Sequence, residues 1–140
     1  MPMKKMMIAI VAGFVVQMLG LFLIHSVLLK QDYVDTASLW RTQEAMNTRV
    51  WAMVLAVLMY VIGAILIYLR GVESKPWIGQ GIRFGILLAL VAVVYGALSG
   101  WVILPIPHML AVKWIICEGL LSVVFGLVVA VICQPKPAAG

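Results

Sequence analysis

Glu118 is an acid inside a long apolar stretch, Met109 to Cys133, and Lys113 lies five residues before it. Ionisable groups at membrane depth are costly, so they are the first candidates for function. A carboxyl taken out of water can exchange protons near neutrality, which would suit a proton or cation relay. The same carboxyl can instead tie helices together through a tyrosine hydroxyl. A conducting path normally needs several acids or a partner cation. Glu118 is the single central acid, so the tying role is the expectation. Lys113 and Glu118 are five apart and fall on different helical faces, which argues against an ion pair between them. Lys113 is expected to snorkel towards the outer interface, in a structural or lipid-contacting role.

Counting at about 1.5 Å per residue puts Glu118 about 14 Å inside its helix. Tyr60 and Tyr95 fall near that depth on two other apolar runs, and Gln17 lies somewhat deeper on the first. These four residues form an expected mid-depth polar layer. His25, Ser99 and Lys113 form a second layer nearer the outer surface. His25 and His108 are the two histidines, but their depths match poorly for bis-histidine haem ligation. Cys117 and Cys133, sixteen apart on one helix, are too distant for a disulfide. Zinc spacings, phosphate loops, nucleophile elbows and paired acids do not occur, so neither metal nor cofactor is expected. The nine methionines read as adaptable packing.

The elements that position these groups follow from composition. Of 140 residues, 65% are hydrophobic and 11% charged, and the mean hydropathy is +1.15. That balance argues against an ordinary soluble domain. Four stretches, about 6–29, 50–69, 84–104 and 109–133, each reach the roughly 20 residues that a membrane helix needs. Their backbone must be satisfied internally, and they lack the alternation of barrel strands. The expected fold is all-α: a four-transmembrane-helix bundle in one domain, 1–133, with a disordered tail at 134–140.

Lys4, Lys5, Arg70, Lys75, Arg83 and Lys136 lie on one side, against Glu73 alone. The connection 30–49 balances Lys30, Arg41 and Arg49 with Asp32, Asp35 and Glu44. By the positive-inside rule both termini are expected in the cytoplasm. The net charge of +5 therefore orients the chain and does not point to nucleic acid. The first apolar run is too long for a cleaved signal and is read as an uncleaved span. Asp35, Thr36 and Ser38 are candidate N-caps for a second helix that projects beyond the lipid or bends along the surface. Tyr33, Trp40 and Trp51 would sit at headgroup level. Pro107 suits the first position of the fourth helix.

Gly81, Gly85, Ala89, Ala92, Gly96 and Gly100 recur every three or four residues along the third span, on one expected face. Small residues allow close backbone approach in lipid. Packing within the bundle is the primary expectation, and self-association through the third helix the alternative. Gly13 and Gly20, and Gly119 and Gly126, repeat at seven on the first and fourth spans.

Leu28-Leu29 with Asp32-Tyr33, Gly81-Ile82-Arg83-Phe84-Gly85, Pro105-Ile106-Pro107 and Lys113-Trp114 carry a resemblance. With them the chain resembles a group of small bacterial inner-membrane proteins with four helices. The resemblance implies that fold and location. It brings no activity and transfers no functional residue.

The expected function is non-catalytic: an accessory or scaffolding subunit of a larger bacterial membrane complex, in contact with lipids and membrane protein partners. A small oligomeric transporter or proton conduit using Glu118 is the alternative. A lipid-modifying enzyme would have to draw on His25, Lys113 and Glu118, which lie at different depths.

Overall fold

A computed structural model describes residues 3–134, and among them every regular element is helical. Helix α1, Met3–Phe22, runs on into a π-helical turn, Leu23–Leu28. A connection follows, made of α2 (Lys30–Asp35), a 3₁₀ turn (Ala37–Leu39) and α3 (Gln43–Asn47). Helix α4 spans Val50–Gly71. The third long rod is α5 (Trp77–Leu88), a π-helical stretch (Ala89–Val94) and α6 (Tyr95–Ile103). Helix α7 is His108–Cys133. Four rods, Met3–Leu28, Val50–Gly71, Trp77–Ile103 and His108–Cys133, are long and apolar enough to cross a membrane.

The rods outrun the apolar stretches in places. The third begins at Trp77, not near Phe84, and the first at Met3. Helical hydrogen bonding continues through Gln80, Arg83, Lys4 and Lys5, where hydropathy stops. Asp35, Thr36 and Ser38 do not cap the second long helix, which starts at Val50. Thr42 instead caps the short α3, accepting the Ala45 N–H at 3.3 Å. Pro107 occupies the cap position, one residue before α7. Of the tail assigned to 134–140, residues 135–140 lie outside the described residues. Gln134 is described, donating to the Val131 carbonyl at 2.8 Å.

Helix α7 is central, packing against α1 on one side and α5 on the other, while α4 lies against α1. Val61, Ile65, Phe125 and Val129 are fully buried where these rods meet. The ring of Tyr68 meets Phe84 edge-on at 5.0 Å between centroids, joining α4 to α5. Leu19, Phe22, Ile67, Val91, Val102 and Ile103 point outward. Outward apolar side chains on all sides are what a lipid-facing bundle requires.

Glycine sets the closest approach. A Cβ on Gly85 would meet the Ser122 carbonyl oxygen and the Val123 Cα at 2.5 Å. One on Gly81 would meet the Gly126 oxygen at 2.9 Å, and one on Gly126 would strike the Gly81 oxygen. Backbone contact of this kind supplies dispersion energy where lipid leaves little hydrophobic drive between helices. The small-residue face is not continuous, however. The π-helical stretch Ala89–Val94 inserts about one extra residue, which rotates everything beyond it. Ala97 is therefore buried, while Gly96 is exposed with nothing within 4 Å of an added Cβ. Gly100 returns to light contact with Trp114, at 3.7 Å.

At the end of the bundle where α1 starts and α7 ends, buried Gln80 closes the 72–76 connection. Its amide donates to the Glu73 and Lys75 carbonyls at 2.9 and 2.7 Å, and its oxygen accepts from the Glu73 N–H at 2.8 Å. Glu73 also contacts Lys75 at 2.6 Å and Arg83 at 3.7 Å. The Lys75 ammonium holds the Glu73 carboxyl below its usual range.

Candidate polar site at the distal end

The opposite, distal end of the bundle brings together His25, Asp32, Lys113 and Glu118. The first π-helical turn, with Leu29 N–H bonded to the Ile24 carbonyl at 2.8 Å, places His25 against α7. His25 Nε2 lies 3.2 Å from Glu118 Oε1. His25 Nδ1 lies 2.6 Å from the Tyr33 hydroxyl. That hydroxyl also accepts the Trp114 indole N–H at 2.8 Å. Lys113, the neighbour of Trp114, donates to Asp32, the neighbour of Tyr33, at 2.6 Å. The dipeptides Asp32-Tyr33 and Lys113-Trp114 thus meet, ammonium to carboxylate and indole N–H to phenol oxygen.

Trp40 completes the cluster. Its ring lies edge-on to Tyr33 at 5.4 Å and 6.2 Å from Trp114. Its indole donates to Thr36 Oγ1 at 2.9 Å, and Thr36 donates to the Asp32 carbonyl at 2.7 Å. Ile24, Leu29 and Leu110 form a small buried core beneath these rings. The 30–40 segment is therefore a strap pinned across the start of α7, not a helix projecting from the bundle.

The hydrogen bonds have a direction. Indole is a donor only, so the Tyr33 oxygen is the acceptor for Trp114. The Tyr33 O–H is then free to point at His25 Nδ1. With Nδ1 accepting, the ring proton resides on Nε2 and faces the Glu118 carboxylate. Every donor in the series Trp114–Tyr33–His25–Glu118 then points towards Glu118, and none is wasted. Burial pushes the Tyr33 hydroxyl up to about 12; the Trp114 donor works against this, and the Glu118 and Asp32 charges add to it.

The expected layers are redrawn. Glu118 is linked to His25 and not to a tyrosine hydroxyl, so one residue of each layer joins in one site. Tyr95 leaves the mid-depth layer: it is 72% exposed, turned outward beyond the π-helical stretch. Tyr60 is half-buried and packs on Phe125 at 5.8 Å between centroids. Gln17 is buried in the α1 core face. Lys113 is held by Asp32 at 2.6 Å. Ser99 is half-buried on α6. Tyr33 and Trp40 turn inward to the strap, while Trp51 alone of the three expected belt residues points out, 68% exposed. His108 is exposed at the start of α7.

Ser122 was not anticipated: it is buried and donates to the Glu118 carbonyl at 2.9 Å. Asp32, Trp114 and Gln80 were likewise not singled out as site residues. The matching charge–aromatic order of Asp32-Tyr33 and Lys113-Trp114 was the signal that could have found the first two. Elsewhere, a shallow groove of about 320 Å³ runs between the third and fourth rods, lined by Ile86, Leu90, Ile116 and Leu120. It is apolar throughout.

Among the described residues, no group of three or more His, Cys, Asp or Glu side chains is placed to hold a metal. No protein-family model matches the chain, and no curated protein or solved structure is significantly similar to it.

Proposed function

We propose that the chain is a non-catalytic integral membrane protein of the bacterial inner membrane. It serves as an accessory or scaffolding subunit of a larger membrane complex, with both termini in the cytoplasm. The orientation rests on Lys4, Lys5, Arg70, Lys75 and Arg83 at the end where α1 starts and α7 ends. The distal cluster would then face the extracytoplasmic side.

The observation that carries the subunit reading is that the intramembrane charges face one another within the chain. Glu118 meets His25 and Lys113 meets Asp32, joining α7 to the end of the first span and to the strap. Pairs arranged in this way fix helix and strap positions. Towards the termini, the bundle centre beyond Ser122 is filled by Phe125, Val129, Val61 and Ile65. A partner helix would find Gly96 on the outward surface, where an added side chain meets nothing of this chain.

Native mass spectrometry of the protein released gently from its own membranes tests this reading. A stoichiometric complex with other polypeptides is expected, and Gly96→Leu should release them while leaving the fold intact. A protein found only with copies of itself would overturn the subunit reading.

A second reading has its own support. The ordered series from Tyr33 through His25 reaches Glu118, as an oligomeric proton conduit using Glu118 would need. In proteoliposomes, Glu118→Gln should then abolish proton flux; unchanged flux would remove that reading.

A further inference from the structure

We infer that His25 is a proton-binding site beneath the strap, and that proton uptake there releases the strap from α7. The inference is independent of whether the protein is an accessory subunit.

The geometry makes the coupling explicit. In the matched arrangement the Tyr33 O–H points at His25 Nδ1, 2.6 Å away, and the Tyr33 oxygen accepts from Trp114. A proton added at Nδ1 turns that nitrogen from acceptor into donor. Both ring nitrogens now donate, Nε2 to Glu118 and Nδ1 to the Tyr33 oxygen. The oxygen already holds the Trp114 N–H, so it becomes a double acceptor. The Tyr33 O–H loses its acceptor and must swing away from His25. A hydroxyl left without a partner in a partly buried site is unfavourable. Water at the strap surface relieves it, and the strap must loosen for water to enter.

The groups that face this site come from each element packed on it. Glu118 of α7 meets Nε2 and becomes the counter-charge of the protonated ring. Tyr33 of α2 meets Nδ1. Asp32 lies next to Tyr33 but is engaged by Lys113. From α4, Tyr60 faces α7 through its ring contact with Phe125. Proton uptake therefore strengthens the contact between the first span and α7 while weakening the contact between strap and α7. Imidazole is the side chain suited to such a change between about pH 5 and 8.

The test is acrylamide quenching of tryptophan fluorescence in the full-length protein in detergent micelles, from pH 8 to pH 5. Trp40 and Trp114 of the strap contact should become more accessible in one transition. His25→Gln should remove that transition, with circular dichroism like that of the wild type. In Tyr33→Phe, His25 should still titrate by ¹⁵N NMR while the quenching no longer follows it. A transition that persists in His25→Gln, or a wild type without one, would overturn the inference. Should His25→Gln fail to fold, the Tyr33→Phe comparison alone decides between coupled and uncoupled titration.

Discussion

The ammonium of Lys113 lies 2.6 Å from Oδ1 of Asp32, joining residues 81 positions apart and closing the strap over the first turns of α7. The two partners are unequal. Lys113 has a long stem and can snorkel to water if its partner is lost. Asp32, whose side chain is 25% exposed, is too short to do so. Lys113→Met should therefore destabilise the protein more than Asp32→Asn. The coupling in a double-mutant cycle should be about 0.5–1 kcal/mol, because the pair is partly hydrated. Unfolding of the four proteins in mixed micelles measures both. Equal single effects with no coupling would show that the pair does not hold the strap.

Gly85 and Gly96 belong to one small-residue row, yet they should respond oppositely. An added methyl on Gly85 meets α7 backbone at 2.5 Å, and backbone cannot turn aside as a side chain can. Gly85→Ala should destabilise by about 1–3 kcal/mol through overpacking. Gly96→Ala meets nothing and should change stability by no more than about 0.5 kcal/mol. Thermal unfolding in detergent distinguishes them, and similar losses at both sites would contradict the rotation at Ala89–Val94.

How far the sequence could be read follows from the range of the forces involved. Helix existence was legible because apolar length alone decides it, so the rods at Val50–Gly71 and His108–Cys133 lie close to their expected bounds. The row from Gly81 to Gly100 was legible only up to the π-helical stretch. Periodicity assumes a constant 3.6 residues per turn, and one inserted residue exchanges Gly96 for Ala97 on the buried face. Depth counting placed Glu118 and His25 in separate layers, since it fixes height and ignores the reach of a side chain. It also did not decide between a projecting 30–40 segment and one that folds back. That fold depends on Tyr33 meeting Trp114, a contact between residues 81 positions apart that no local pattern encodes.

Gln80 should behave as a structural clamp. Its side chain makes three hydrogen bonds to the backbone of the 72–76 connection, two donated and one accepted. Gln80→Leu keeps the bulk and removes all three, leaving the Glu73 N–H and two carbonyls unmatched. Losses of this kind cost about 1–3 kcal/mol. Hydrogen exchange of the peptide covering 72–80 should accelerate about tenfold or more, with exchange at α7 unchanged. Unaltered exchange at Glu73 would show that the loop is held by other contacts.

Alkaline titration isolates Tyr33. Burial, reinforced by the Glu118 and Asp32 charges, pushes its hydroxyl up to about 12, from about 10 in an unfolded chain. The raised value means that the fold favours the neutral phenol. Its contribution to stability is therefore full below about pH 10 and is lost progressively between about pH 10 and 12, where the unfolded chain ionises first. Tyr33→Phe cannot ionise and lacks this slope. The stability difference between wild type and Tyr33→Phe should hold steady from pH 8 to pH 9.5 and shrink above pH 10. Difference measurements cancel Tyr60, Tyr68 and Tyr95, which both proteins share. Denaturant unfolding at stepped pH, with absorbance at the tyrosinate band in parallel, gives the two curves. A difference that stays constant to pH 12 would mean that the Tyr33 hydroxyl ionises as readily in the fold as in water, and that the strap leaves it open to solvent.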